Sequence, residues 1–386
     1  MATTNSAIPL TGIPFPKSEY EHRQRKVLDA MVRAEIDALL VTAYGHQEYL
    51  TGYDGNGGYF APFPLILAPG RAPIFVAREF DVDTVRAESC IDEIIPYSQQ
   101  SDFAPVCADV LRRLGLQSQR VGMELSCWSL APADMNAIQA LLPDLKIVDA
   151  SRLVPSISAV KSDLEIEAIR TAMTTTDLVV TTFQRALRIG VTEADMLTLI
   201  TDELDKAGGE LCPAPTLLFG ERTRLPHGTP QKHPIGNNES AFMEMGTLKH
   251  KYAAGLCRSA IVGRNPALES LHNLAEEALE AAIAAIRPGQ TAGAIDAAAR
   301  GVIVRAARPQ VFRHRTGYQI GINWTERGDL SLEPGAKDIL QKGMTLHMPI
   351  ILFNEGGHGI GCSETVLVTE SGVDVLSSTP HTLYHA

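Results

Sequence analysis

Two helices followed by a pair of strands occur twice, in the same order, between residues 162 and 369. This duplication restricts the fold more than any other feature of the chain. In the first copy Ser162 opens a helical stretch to about Ile189. Asp163, Glu165 and Glu167 sit in its first turns, where the helix dipole favours negative charge. Gly190 stops it, Thr192 caps a second helix ending at Gly208 and Gly209, and strands follow near Phe242–Gly246 and Tyr252–Val262. In the second copy a helix over Ala267–Ile286 stops at Pro288 and Gly289. Thr291 caps the next helix, to about Ala307, and strands Met344–Phe353 and Cys362–Thr369 complete the copy. The halves share no convincing sequence identity. The order of elements alone predicts an internal structural repeat, an α+β unit with a pseudo-two-fold relation between its halves.

Upstream, helix and strand signals alternate. A helix is expected from a Ser18 cap to about Ala34, then strands at Ala38–Thr42, Leu65–Leu67 and Ile74–Ala77. A helix at Val106–Leu114, a strand at Arg120–Glu124, a helix at Pro132–Leu142 and a strand at Lys146–Asp149 follow. Such alternation predicts a layered α/β domain. With 386 residues two domains are expected, because a single core rarely grows past roughly 250–300 residues. The boundaries read as 1–158 and 159–386.

Charge limits the partners. The net charge of −11 repels phosphate backbones, so no nucleic acid is expected. No apolar run approaches the ~20 residues of a membrane span, so no membrane is expected either. The start MATTNSAIPL lacks the basic and apolar regions of a secretion signal. The six scattered cysteines read as small thiols in a reducing compartment, and the expected location is cytoplasmic. Gly55-Asn56-Gly57-Gly58 is not followed by a helix signal and is not read as a phosphate cradle.

Five motifs in order resemble the creatinase and aminopeptidase P superfamily: YLTGYDG (49–55), AVKSDLEIEAIRTA (159–172), RTGYQIGINW (315–324), KGMTLHMP (342–349) and SETVLVTESG (363–372). The resemblance implies a creatinase N-terminal, ribonuclease H-like α/β domain followed by a pita-bread catalytic domain, usually as a homodimer. Metal-dependent members hold two divalent ions with two Asp, one His and two Glu. Matched motif by motif, those positions are Glu244, Gly255, Tyr318, His347 and Ser363, with Glu364 next to the last. One carboxylate and one imidazole cannot hold an ion pair of this kind, so neither a metal nor another cofactor is expected. The substitutions resemble ectoine hydrolase more than creatinase or prolidase. The implied enzyme is therefore a metal-independent hydrolase of a C–N bond other than a peptide bond, in a small cyclic amidine, guanidino or ureido substrate. A Xaa-Pro peptidase-like metallohydrolase and a non-catalytic peptide-binding module are the alternatives.

Within this resemblance, His227 in RLPHGTP stands where superfamily members keep a histidine facing the reacting group. An imidazole can serve as base or acid near neutrality. Glu244 is a carboxylate in an otherwise apolar strand, costly to bury unless paired. It can bind a substrate cation, act as base or attack as nucleophile. Arg258 is either its ion-pair partner or a substrate contact. Glu364 is a proton-relay candidate, although adjacent strand residues face opposite ways and either Ser363 or Glu364 can face the pocket. Tyr318 and His347, at former ligand positions, are substrate-binding candidates that can donate hydrogen bonds. His358, in a Gly-rich turn, and Tyr53, in a first-domain loop that can reach a partner subunit's site, complete the expected substrate contacts. His381 can fold over the pocket from the tail.

Overall fold

The structure, a computed structural model, describes residues 12–55, 58, 62–99, 102–212, 215–326 and 328–386. The segment MATTNSAIPL and Asn56–Gly57 thus lie outside the described residues. The chain divides into two compact units: Met1–Ser158 with Glu326–Gly328, and Ala159–Thr325 with Asp329–Ala386.

The first unit is built on a six-stranded sheet. In chain order it contains α1 (Lys17–Arg33), β1 (Ala38–Val41), α2 (Tyr44–Thr51), β2 (Leu65–Leu67), β3 (Ile74–Arg78), α3 (Val82–Glu88), β4 (Glu93–Tyr97), α4 (Phe103–Arg113), β5 (Arg120–Met123), α5 (Pro132–Leu141), β6 (Lys146–Asp149) and α6 (Leu153–Ser158). The strand order is β4-β3-β2-β1-β5-β6. β2 runs antiparallel to both its neighbours, and the other pairs are parallel. The parallel strands carry apolar runs such as Ala-Leu-Leu-Val in β1, buried at all four positions, as expected where helices cover both faces. Ser18 is not the cap of α1. The helix starts one residue earlier, after Pro16, with no side-chain cap. No α2 was expected, because Tyr44–Thr51 buries His46, Gln47 and Glu48 and shows no apolar stripe. Gln47 donates to the Val41 carbonyl and His46 pairs with Glu124.

The second unit shows the repeat. Its first half holds α7 (Asp163–Ala186), α8 (Glu193–Lys206), β7 (Glu210–Leu211), β8 (Thr216–Phe219), β9 (Glu239–Lys249) and β10 (Tyr252–Val262). Its second half holds α9 (Pro266–Ala285), α10 (Ala292–Arg305), β11 (Gly317–Gln319), β12 (Ser331–Leu332), β13 (Thr345–Phe353), β14 (Gly359–Val368) and β15 (Val373–Val375). The short β16 (Tyr384–His385) then pairs with β10. The first sheet runs β16-β10-β9, with β7 and β8 on the far edge of β9. The second runs β12-β11-β13-β14-β15.

Local chemistry explains the duplication. Thr192 and Thr291 each accept the backbone N–H three residues on, capping α8 and α10. The glycine before each cap donates to a returning loop, Gly190 to the Ile235 carbonyl and Gly289 to the Leu340 carbonyl. Both glycines sit at positive φ, 87° and 88°, a conformation that favours residues without Cβ. Ser162 and Glu165 form a reciprocal capping box at the start of α7. Removing such a cap typically costs about 1 kcal/mol. The core of the second half gathers Leu271, Leu279 and Ile295 from the helices with Leu346, Met348, Ile350 and Val366 from the sheet.

The sheet register fixes which side chains can meet. Glu244 pairs with Cys257, Tyr318 with His347, His347 with Thr365, and Met348 with Glu364. Directly paired residues share a face, and neighbours along a strand do not. Tyr318, His347 and Thr365 therefore lie on one face of the second sheet. Glu364 lies on the other, with Met348.

Candidate active site

A cavity of about 600 Å³ lies within the second unit, and His227, Glu244, Tyr318 and Trp324 line it. Its wall also carries Arg224, Arg313 and Arg315, three guanidiniums against the single carboxylate of Glu244. The apolar floor comes from Leu218, Phe242, Pro349 and Phe353.

His227 sits on an exposed loop at positive φ, 59°. The loop is tethered by Glu193, whose fully buried carboxylate accepts the Phe219 N–H, the Gln231 N–H and the Arg222 guanidinium. Such bonds to a charged acceptor are roughly twice as strong as neutral ones. They hold both ends of the turn that presents His227.

Glu244 keeps 15% of its side chain exposed, and its Oε1 lies 3.6 Å from His347 Nε2. His347 is fully buried and is not among the cavity-lining residues. It stands behind Glu244 and packs against Tyr318 and Trp324, with ring centroids 5.7 and 5.1 Å apart. The expectation that His347 touches substrate is corrected by this burial. Its tautomer follows from its neighbours. Thr365 Oγ1 gives its only hydrogen to the Gly255 carbonyl at 2.7 Å, so it can only accept from His347 Nδ1, 3.2 Å away. The Nδ1 atom therefore carries a proton, and Nε2 faces Glu244. Nε2 has no hydrogen-bond partner among the described residues.

Tyr318 is oriented in the same manner. Trp324 Nε1 donates to the Tyr318 hydroxyl at 2.9 Å, which leaves the phenol hydrogen for the cavity. Burial, and then the Glu244 charge, push its pKa far above the usual phenol range, so the hydroxyl stays protonated. The Arg315 guanidinium stacks on the Tyr318 ring at 4.3 Å.

The remaining expected residues lie elsewhere. Glu364 is 1% exposed and is locked in an ion pair with Arg258, 2.8 Å away. It also accepts from Ser377 at 2.6 Å. Arg258 is fully buried and donates further to the Cys257, Ser363 and Thr379 carbonyls. Neither residue lines the cavity, because the register turns both to the opposite sheet faces. The expectations of a catalytic Glu364 and a substrate-binding Arg258 are corrected accordingly. Ser363 does not line the cavity either, since its hydroxyl accepts the Cys257 N–H. His358 does not line the cavity but touches a residue that does. Its Nδ1 lies 3.3 Å from the Gly220 carbonyl, and its Nε2 accepts from Arg224 at the cavity wall. Tyr53 is buried in the first unit, edge-on to Phe75, so its ring is not presented outward. His381 reaches Glu364 and not the cavity.

Sequence reasoning did not foresee Arg224, Trp324 or the pair Arg313 and Arg315. A signal was available for the pair: Arg313-His314-Arg315 is a basic run just ahead of Tyr318 in an acidic chain.

Against known families, residues 23–160 match the creatinase/prolidase N-terminal domain, and residues 167–370 match metallopeptidase family M24. The chain belongs to metallopeptidase family M24. An uncharacterized hydrolase/peptidase of Sinorhizobium fredii is 30% identical over 389 residues, covering 96% of this chain and 97% of the relative. Among solved structures, dipeptidase PepE of Mycobacterium ulcerans superposes with a TM-score of 0.86 at 22% identity, over 96% of this chain and 100% of the other. A Xaa-Pro dipeptidase of Bacillus anthracis gives 0.81 at 21%, over 95% and 100%. The creatinase-type N-terminal domain and the pita-bread catalytic domain are thus both present. The expectation of an enzyme for C–N bonds other than peptide bonds is overturned, because the family is one of peptidases and these relatives are named as peptidases.

M24 membership implies metal, yet the residues here do not fit a dinuclear centre. Gly255 stands at one expected ligand position, and a Cβ there meets the Trp324 ring at 2.0 Å. The same ring lies 2.5 Å from a Cβ at Gly246. The indole thus fills the space in which a ligand side chain at position 255 would stand. Among the described residues no third His, Cys, Asp or Glu joins Glu244 and His347 within ligand reach. Gly255→Ala is expected to lower stability by about 1–3 kcal/mol, the usual range for overpacking a filled core. Urea midpoints for Gly255→Ala, alone and with Trp324→Ala, check this. If the indole causes the clash, Gly255→Ala costs little when added to Trp324→Ala, whose own urea midpoint is the reference.

Proposed function

We propose that the M24 unit hydrolyses the amide bond of a short peptide bearing a free carboxylate, with Glu244 as the base and without a dinuclear metal centre. The observation that carries this reading is Glu244 with Nε2 of His347 3.6 Å behind it, in the space where Trp324 replaces a ligand. Glu244 would take the proton of the attacking water. The free phenol hydrogen of Tyr318 would be donated to the oxygen that gains charge, as preorganised donors are in acyl transfer. His227 would give a proton to the leaving nitrogen, and Glu244 would release its own to solvent, from which His227 regains one. The three arginines supply charge for a carboxylate, and Arg is the residue best shaped to bind one. Xaa-Pro dipeptides, which give one structural relative its name, carry both the amide and the carboxylate.

Binding without turnover is a second reading, and the filled ligand position favours it. A panel of Xaa-Pro and other dipeptides, incubated with chelator-treated protein and followed by mass spectrometry, separates the two. Hydrolysis is expected to persist in chelator, and Arg313→Ala and Arg315→Ala should raise KM more than they lower kcat. Calorimetric binding with no product establishes the second reading. Product formed only after a divalent metal is restored defeats the metal-free mechanism.

A further inference from the structure

A second constellation lies away from the cavity, where the end of the chain meets α9. His272, Glu276 and Glu280 are spaced by four residues on α9, so they stand one above another on one side of the helix. They run from core to solvent. The His272 side chain is fully buried, Glu276 is 23% exposed and Glu280 is 62% exposed. His381 comes to them from the tail, with Nε2 3.7 Å from Glu280 Oε1. One ligand-type atom from each of Glu276, Glu280 and His381 lies within 4.8 Å of the others.

Acidic side chains often gather on a surface without binding anything. Here a separate observation points to a ligand. The buried His272 ring has no hydrogen-bond partner for either nitrogen among the described residues, and its Nδ1 faces Glu276 Oε2 at 3.8 Å. Buried polar atoms are almost always satisfied, so an orphaned imidazole aimed at a carboxylate needs an occupant to explain it.

The opposite ligand is set up as metal-binding histidines usually are. His381 Nδ1 lies 3.1 Å from Glu364 Oε1. Glu364 already accepts from Arg258 and Ser377, and a carboxylate can only accept. Nδ1 is therefore the donor, and Nε2 turns toward Glu276 and Glu280. A carboxylate behind a histidine fixes its tautomer and raises its basicity toward a metal. Glu364, displaced from the cavity, has a place here.

We propose that Glu276, Glu280 and His381, with the buried His272 behind Glu276, form a binding site for one divalent transition-metal ion of the zinc class, which clasps the C-terminal tail to α9. One imidazole and two carboxylates, with a water in the fourth position, suit four-coordinate zinc, with bonds of about 2.0–2.2 Å. Ligand atoms then stand roughly 3.4 Å apart in a tetrahedron. Rotation of the exposed Glu280 side chain closes the remaining gap. The site is independent of the proposed peptidase chemistry and takes no part in it.

The test uses the full chain, stripped by chelator and titrated with Zn²⁺ against a chromophoric competitor, and with Co²⁺ for its visible bands. One equivalent should bind, Co²⁺ should show tetrahedral absorption, and zinc should raise the Tm. Glu280→Gln changes an exposed residue, and His381→Asn keeps a donor for Glu364. Each should weaken zinc at least about tenfold and abolish the Tm shift. Glu244→Gln should leave zinc affinity as in the parent chain. The proposal falls if the parent chain takes up no zinc at micromolar concentration, or if Glu280→Gln and His381→Asn bind as tightly as it does. It falls also if Glu244→Gln removes binding, which would put the ion in the cavity.

Discussion

Glu244→Gln is expected to lower kcat on the best dipeptide substrate by about 10²–10⁴-fold, the usual worth of a positioned acid–base group. The side chain keeps its size but can no longer take a proton from water. KM should move little, because the guanidiniums of Arg224, Arg313 and Arg315, proposed to hold the substrate carboxylate, remain in the cavity wall. His347→Ala should also lower kcat, since it removes the nitrogen 3.6 Å behind the carboxylate. His347 does not line the cavity, so its loss acts through Glu244. Combining the two changes should cost little more than Glu244→Gln alone, because groups that act as a unit give non-additive losses. Steady-state kinetics of the three variants, with circular dichroism as a folding control, measure this. Near-normal turnover in Glu244→Gln would remove the base from the mechanism and leave the binding-only reading.

What the sequence disclosed depended on whether the signal was local. The repeat was legible because its devices lie within a few residues of one another. Thr192 and Thr291 cap their helices, Gly190 and Gly289 precede them, and Ser162 with Glu165 forms a capping box. α2 was not legible, because it buries polar side chains such as His46, whose partner Glu124 is distant in sequence. The same limit governed the site. His227 and Glu244 were found by motif position and do share a cavity. Glu364 was misplaced because facing depends on strand register. Trp324 was overlooked because nothing in the sequence links it to Gly255, although the two define why a metal ligand has no room.

Glu364→Ala should destabilise the M24 unit by about 3–5 kcal/mol, the cost of leaving one member of a buried ion pair alone. The estimate rests on burial. Arg258 is fully buried and Glu364 is 1% exposed, so water cannot replace the lost partner. The remaining acceptors of Arg258 are backbone carbonyls and the Ser377 hydroxyl, which supply hydrogen bonds but no full negative charge. Most domains are stable by only 5–15 kcal/mol in all, so the loss should shift the urea midpoint of this unit markedly. Glu364→Gln keeps the volume and one acceptor and should fall between the parent and Glu364→Ala. Replacing both members, Glu364→Leu with Arg258→Met, should recover much of the loss, since apolar groups of similar volume can substitute for a buried pair. Chelator present throughout removes any contribution from a metal at His381. Turnover per folded molecule should survive Glu364→Gln, because the register holds Glu364 on the sheet face opposite His347. If Glu364→Gln is fully stable yet loses turnover a hundredfold, the residue belongs to the chemistry and its assignment to the buried pair is wrong.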